Sequence, residues 1–380
     1  MKRTFYGLTG VMRGTLALTL AALLVACSSS PQKPKPAELS SGPNLIGVTQ
    51  AWTTKLGEVA FPLNVRVVGQ SVAIAASDGA VVVLDARSGG DLWRASLNSP
   101  LSAGVGYDGQ RAAVITRGNE VVTLEAGREV WRQRLNAVSL TAPLVAGGRV
   151  FVLGADRTVS AFDGASGRRL WQQQRSGEAL VLRQAGVMLA VGDTLVVGLS
   201  GRLVGLNPLN GSVRWETAIA SPRGVNDIER LVDLVAGVSR EGDVLCARAF
   251  QAAVGCVDAA RGAVLWTKPA VGATGVQGDR DFVFGAEADG TVVAWRRTDG
   301  ERAWTQELLR HRNLGTPLVA GRSVVVGDGN GLLHFLSRED GSHVARVSTD
   351  GSAVASVPVL AGNTLVVVTR NGGVFGFRPE

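Results

Sequence analysis

The stretch FDGASGRRLW, residues 162–171, holds an apolar residue, an Asp, a glycine-bearing turn and a Trp eight positions after the Asp. The pattern returns as LDARSGGDLW (84–93), LNPLNGSVRW (206–215), VDAARGAVLW (257–266) and WRRTDGERAW (295–304). A shortened copy, LEAGREVW, ends at Trp131, and a degenerate one, LSREDGSHVA, puts Ala345 where Trp is expected. Trp52 stands in the same column without a preceding copy. The column Trp52, Trp93, Trp131, Trp171, Trp215, Trp266, Trp304 and Ala345 has spacings of 41, 38, 40, 44, 51, 38 and 41 residues. Self-similarity at about 40 residues is the mark of a repeat architecture, and eight column positions imply eight units.

Within a unit, short runs such as RVFVLG and TVSAF alternate apolar with polar or small residues, the period of half-buried strands. A turn column, Gly79, Asn119, Arg157, Gly201, Ala252, Gly290, Gly331 and Gly372, is dominated by residues that accept positive φ, as a tight hairpin requires. PLVAG at 143 and 317 and PVLAG at 358 open units with a proline, which suits the first residue of a strand. Each unit therefore reads as four antiparallel strands, with no helical period in the mature chain. The fold expected is all-β: an eight-bladed propeller of four-stranded blades.

A linear solenoid would need capping units at both ends, and the ends here argue for a ring. The tail PVLAGNTLVVVTRNGGVFGFRP supplies three strands and stops, whereas GVTQAWTTKL around Trp52 is a Trp-bearing strand with no unit before it. Joined, they complete an eighth blade and hide two edges. The tryptophans are then expected to lie across the junctions between blades, burying one amphipathic ring each. Trp295, off the column, takes the apolar position held elsewhere by Leu84 or Phe162 and belongs to the core.

The first residues look like an export address. Lys2, Arg3 and Arg13 precede an apolar run, Leu16 to Ala26, too short to span a bilayer comfortably and ending in small residues. The sequence LVAC, ending at Cys27, resembles the bacterial lipobox, which implies lipidation of Cys27, and by the same resemblance Ser28 favours the outer membrane. Three segments follow: a signal peptide at 1–26, the lipidated Cys27 with a flexible Ser/Pro-rich tether over 27–45, and the propeller over 46–380. Loss of the leader removes three basic and no acidic side chains, so the net charge falls from +7 to +4, too mild to argue for nucleic acid.

Two cysteines then remain in a chain bound for an oxidising compartment. If Phe250, Gln251 and Ala252 form a three-residue loop, Cys246 faces Cys256 and a disulfide can form. A two-residue loop of Gln251 and Ala252 sets them on opposite faces, where it cannot.

Chemistry is sparse. The histidines are His311, His334 and His343, with no spacing of a metal cage. There is no GxSxG elbow, phosphate-binding loop or HExxH motif. No catalytic residue, metal or cofactor is assigned. Quinone-dependent dehydrogenases share a blade repeat of this kind, and a periplasmic quinoprotein is the enzymatic alternative; those chains are much longer and carry adjacent cysteines, which this one lacks.

Two connections break the regular spacing: QQQRSGEALVLRQAG after Trp171 and ETAIASPRGVNDIERLVDLVAG after Trp215. With four alternating strands per unit, both emerge on the rim of the turn column and flank blade four. LVLR at 180–183, IERLVD at 228–233 and LLRHRNLGTPLVAGRSVVVGDGNGLLHF at 308–335, with the lipobox and the eight repeats, make the chain similar to the BamB family. These are propeller lipoproteins of the machinery that assembles β-barrels in the Gram-negative outer membrane.

That resemblance implies a non-enzymatic scaffold that faces the periplasm, held to the outer membrane by its lipid. It also implies binding to a POTRA domain of BamA within the BAM complex and assistance to unfolded outer-membrane clients. It assigns the contact to Leu180, Leu182, Arg183 and Asp233. The family carries a second acidic residue where this chain has Val235. The plain alternative is that the leucines tuck under the blade and Arg183 pairs with Asp233 to hold the loops. A scaffold of another envelope complex is a further alternative.

Overall fold

The structure, a computed structural model, describes residues 1, 34–39, 44–176, 180–223, 225–226 and 230–380. The expected leader beyond Met1, Cys27 and the start of the tether lie outside the described residues. Ala37–Glu380 form one compact unit. In the other, Met1–Pro36, the described residues carry no strand or helix.

Eight four-stranded antiparallel sheets account for the strands among the described residues, and no helix occurs there. Seven sheets use consecutive strands, spanning 66–96, 101–134, 144–174, 188–218, 234–269, 276–306 and 318–348; these are blades one to seven. The eighth takes three strands from 359–379 and adds Val48–Lys55 outside the last of them. Thr53 pairs with Phe375 and Thr49 with Arg378. First strands of neighbouring blades lie against one another, Arg66–Val68 against Leu101–Tyr107 and Val359–Ala361 among them, so they line the axis. The ring closes through the chain's two ends, as the half-units in the sequence require.

The middle strands differ from their expected half-burial. Thr158–Asp163 is buried at every position but the last, and Arg149–Leu153 at all but the first. A blade is covered on both faces by its neighbours, so its central strands need apolar or small residues throughout. Alternation survives where one face meets water, as in Asp91–Ser96. The turn column takes positive φ at seven positions, including Asn119 and Arg157. In blade five the left-handed residue is Gln251 rather than Ala252, because three residues close that hairpin.

Each column tryptophan reaches into the next blade. The ring of Trp52 lies on Gly89, where an added Cβ would come within 2.5 Å of the indole, and Trp131 stands on Gly167 in the same way. The contact repeats for Trp171 on Gly211, Trp215 on Gly262, Trp266 on Gly300 and Trp304 on Gly341, and more loosely, at 3.6 Å, for Trp93 on Gly127. Several indoles also donate their N–H to a carbonyl of that same turn: Trp131 to Gly164 at 2.8 Å, Trp266 to Arg297 at 2.7 Å and Trp304 to Arg338 at 2.9 Å. Sheet edges are thus tied sideways by one amphipathic ring at every junction but that between blades seven and eight.

Ala345 breaks the column for a structural reason. Its neighbour, blade eight, has the two chain ends where other blades have the turn that receives the indole. Phe335 on the adjacent strand pairs with Ala345, supplying bulk where blades three and six set Ala161 and Ala294 opposite Trp171 and Trp304. The chain's own entry segment covers the seam: Leu45 donates its N–H to the Val344 carbonyl at 2.9 Å.

The long stretch 308–335 builds a buried polar network in blade seven. Asp328 accepts from Arg312 Nε at 2.8 Å and from His334 Nε2 at 3.1 Å, and all three side chains are buried. An ionised carboxylate can only accept, so the neutral ring donates through Nε2. Arg312 also reaches the Ala37 carbonyl at 3.0 Å, Ala37 donates to the Arg310 carbonyl, and Leu39 packs against the apolar cluster that includes Phe284 and Leu314. Residues 37–39, expected within a flexible tether, are therefore docked on the propeller: their own backbone groups and one leucine find partners there.

Two outcomes follow. Trp304→Ala removes a junction ring and should lower unfolding stability by about 3–5 kcal/mol in denaturant titration. Acid should also weaken the fold. Burial pushes the Asp328 carboxyl up, but the His334 ring, the Leu332 N–H, Arg312 and the Asn330 N–H outweigh it and hold the group at about 2. Burial pushes the His334 ring below its ordinary value. Both groups bind protons more readily when unfolded, so stability present at neutral pH is lost as pH falls, first below about 6.5 through His334 and then below about 4 through Asp328. Melting temperature should drop across that window, and His334→Gln, which keeps an N–H donor without titrating, should flatten its upper part.

Candidate functional site

The two irregular connections meet above blade four. The first leaves blade three after Arg169–Gln174 and enters blade four at Met188–Val191. The second runs from Val213–Ala218 to Leu234–Glu241 of blade five. Gly177–Ala179, Gly224 and Asp227–Glu229 lie outside the described residues, and with them part of the IERLVD stretch.

Backbone and side-chain bonds sew the connections together. Leu182 donates its N–H to Asp233 Oδ2 at 2.9 Å, and Ala236 donates to the Ala185 carbonyl at 2.8 Å. Gly186 bridges Val235 in antiparallel fashion and donates to Thr141 Oγ1 at 2.9 Å. Phe250 donates to the Asp233 carbonyl at 3.0 Å, which fixes the acid to the hairpin of blade five.

The four expected contact residues therefore divide by role. Leu180 is 42% exposed, Leu182 is half-buried, and Arg183 is exposed with no ion pair among the described residues. Asp233 spends one carboxylate oxygen on the Leu182 backbone and is not paired with Arg183, so the loop-holding salt link considered from sequence does not form. Asp233 acts as a positioning group, while Leu180 and Arg183 face outward. Val235, where the family carries a second acid, is 2% exposed and in register with the buried Arg248. The described part of the two connections then holds Asp233 as its acidic residue.

One supporting residue escaped the sequence reading. Arg157, in the turn column of blade three, is buried and donates to Ser200 Oγ at 2.7 Å and to the Leu180 carbonyl at 3.1 Å. It props the first connection from beneath. The signal was present: a long cation stands where most units carry Gly or Asn.

Cys246 and Cys256 face each other on adjacent strands of blade five, with Ala249 opposite Ala253, so the three-residue loop is the one formed. Their sulfurs are joined in the structure, both residues are fully buried, and Arg297 Nη1 approaches Cys246 Sγ at 3.3 Å. The pair lies inside the sheet, beside Trp266, and takes no part in the exposed connections. Trp295 is core, with the Arg248 guanidinium 5.7 Å from its ring centroid. Among the described residues no group of three or more His, Cys, Asp or Glu could hold a metal, and no helix is long and apolar enough to cross a membrane.

Known proteins resemble this chain closely. The family model described as outer membrane protein assembly factor BamB matches residues 77–306 and 307–380. An outer membrane protein assembly factor BamB of Burkholderia pseudomallei is 39% identical, over 95% of this chain and 96% of that one. Its counterpart in Bordetella pertussis is 36% identical, over 96% and 97%. Among solved structures, BamB from Moraxella catarrhalis superposes with a TM-score of 0.79 at 24% identity, covering 87% of this chain and all of that one. A quinohemoprotein alcohol dehydrogenase from Comamonas testosteroni gives 0.67 at 15% identity over 88% and 77%, a likeness of fold alone.

If Asp233 orients the first connection, Asp233→Ala should release it. Amide exchange at Leu182 and its neighbours should then rise by about tenfold, the loss of one charge-assisted hydrogen bond, while exchange in the strands of blade four stays unchanged.

Proposed function

The chain belongs to the BamB family of outer membrane protein assembly factors, and from that premise we propose that it is a non-enzymatic scaffold which binds a POTRA domain of BamA through the two connections flanking blade four. The observation that carries this reading is the Leu182 to Asp233 hydrogen bond. It fixes the first connection so that Leu180 is presented as an apolar anchor with Arg183, unpaired among the described residues, beside it. An apolar group with an adjacent charge is what a docking surface uses for affinity and orientation.

The envelope setting supports the remaining parts. Acyl chains on Cys27, each buried methylene adding about 0.8 kcal/mol, would hold the protein on the periplasmic side of the outer membrane. An oxidising compartment supports a Cys246–Cys256 disulfide as the working state. Assistance to unfolded barrel clients follows from the role of the complex; closure of the ring leaves few free strand edges for direct capture.

The test is co-purification of BamA with the wild type and with Leu180→Ala plus Arg183→Glu. At least tenfold weaker recovery, about 1.4 kcal/mol, is expected; equal recovery rejects the site.

A further inference from the structure

We propose that the partner's footprint continues from the blade-four connections across blades one to three, into a groove that receives an apolar side chain flanked by carboxylates. The proposal rests on the docking reading above and extends it. A stable complex buries about 800 Å² on each partner, roughly 20–30 residues a side. Leu180, Leu182, Arg183 and Asp233 cannot supply that area alone, so the contact must spread over the same face.

On one flank it finds a prepared surface. A groove of about 740 Å³ begins at Leu182 and Arg183 and extends to the connection that leads into blade one. Phe61 and Leu101, both buried, form part of its floor, and Val138, 46% exposed, stands at its edge. Arg117, exposed on the blade-two hairpin, is a second lining cation in addition to Arg183. Among the described residues neither guanidinium has an ion-pair or side-chain hydrogen-bond partner, and none that lines the groove is acidic. An apolar floor with two cations that have no partner among the described residues is the complement of an apolar residue flanked by acids.

The opposite flank offers less. Val271 and Leu308 are exposed there, but the charges beside them are satisfied within the chain, Glu287 by Arg248 and Arg310 by Asp289 and Glu307. A partner would have to break those pairs to gain its own.

The experiment measures affinity of the full chain for the purified POTRA domains of BamA, with Arg117→Glu, Arg117→Gln, Val138→Asp and Arg183→Glu beside the wild type. Arg261→Glu, on a turn at the other rim of blade five, is the control. All positions are exposed, and unchanged melting curves confirm folding. The expected result is about tenfold weaker binding for Arg117→Glu, Val138→Asp and Arg183→Glu, a smaller loss for Arg117→Gln, and none for the control. The Arg117→Glu loss should shrink at high salt.

Wild-type affinity for the Arg117 and Val138 variants with weakened Arg183→Glu overturns the extension and leaves the docking reading standing. Wild-type affinity for all of them overturns both. Reduced capture of an unfolded outer-membrane protein with unchanged BamA affinity also overturns the proposal, since the groove would then serve a client.

Discussion

Pairing of Val48–Lys55 with Gly373–Pro379 is the constraint on which the rest of the molecule depends. It converts a row of similar sheets into a ring, and a ring fixes the position of every blade from two sides. Only then do the first strands converge on one axis and the irregular connections rise from one rim. Lateral ties between sheets come from a single repeated contact, an indole laid on the neighbour's turn, with a hydrogen bond to that turn at several junctions. Because the contact uses a glycine on one side and a large ring on the other, it fixes spacing and angle together.

Much of this was legible because the same solution is written many times. Trp-to-Trp spacing counted the blades, and unmatched half-units at the two ends revealed closure. The Cys246 register followed from loop length once the hairpin was known to hold three residues. What the sequence hid were relations between distant residues. Arg157 supports Leu180 from the preceding blade, Arg312 holds Ala37 across 275 positions, and central strands are buried on both faces only because neighbours exist. None of these leaves a local period.

The site itself was half legible. Residue types and loop length pointed to the two connections, and family resemblance selected four positions within them. The division of labour among those four required coordinates: Asp233 turns inward to hold a backbone N–H, while Leu180 and Arg183 turn outward. Val235 marks the same limit from the other side, since a residue read as a missing carboxylate is a buried strand position. A closed platform with a few outward groups suits a member of a family of outer membrane protein assembly factors.

The seam at Ala345 has a mechanical consequence. The chain enters the ring between blades seven and eight, almost diametrically across from the connections around blade four. Tension applied through the residues before Ala37 therefore loads the docked Ala37 at Arg310 and Arg312 first, and next the Leu45–Val344 bond and the pairing of Val48–Lys55 with the tail. Those bonds lie side by side along the pulled strand and share the load in shear, so the junction that joins the ends also serves as its strain relief.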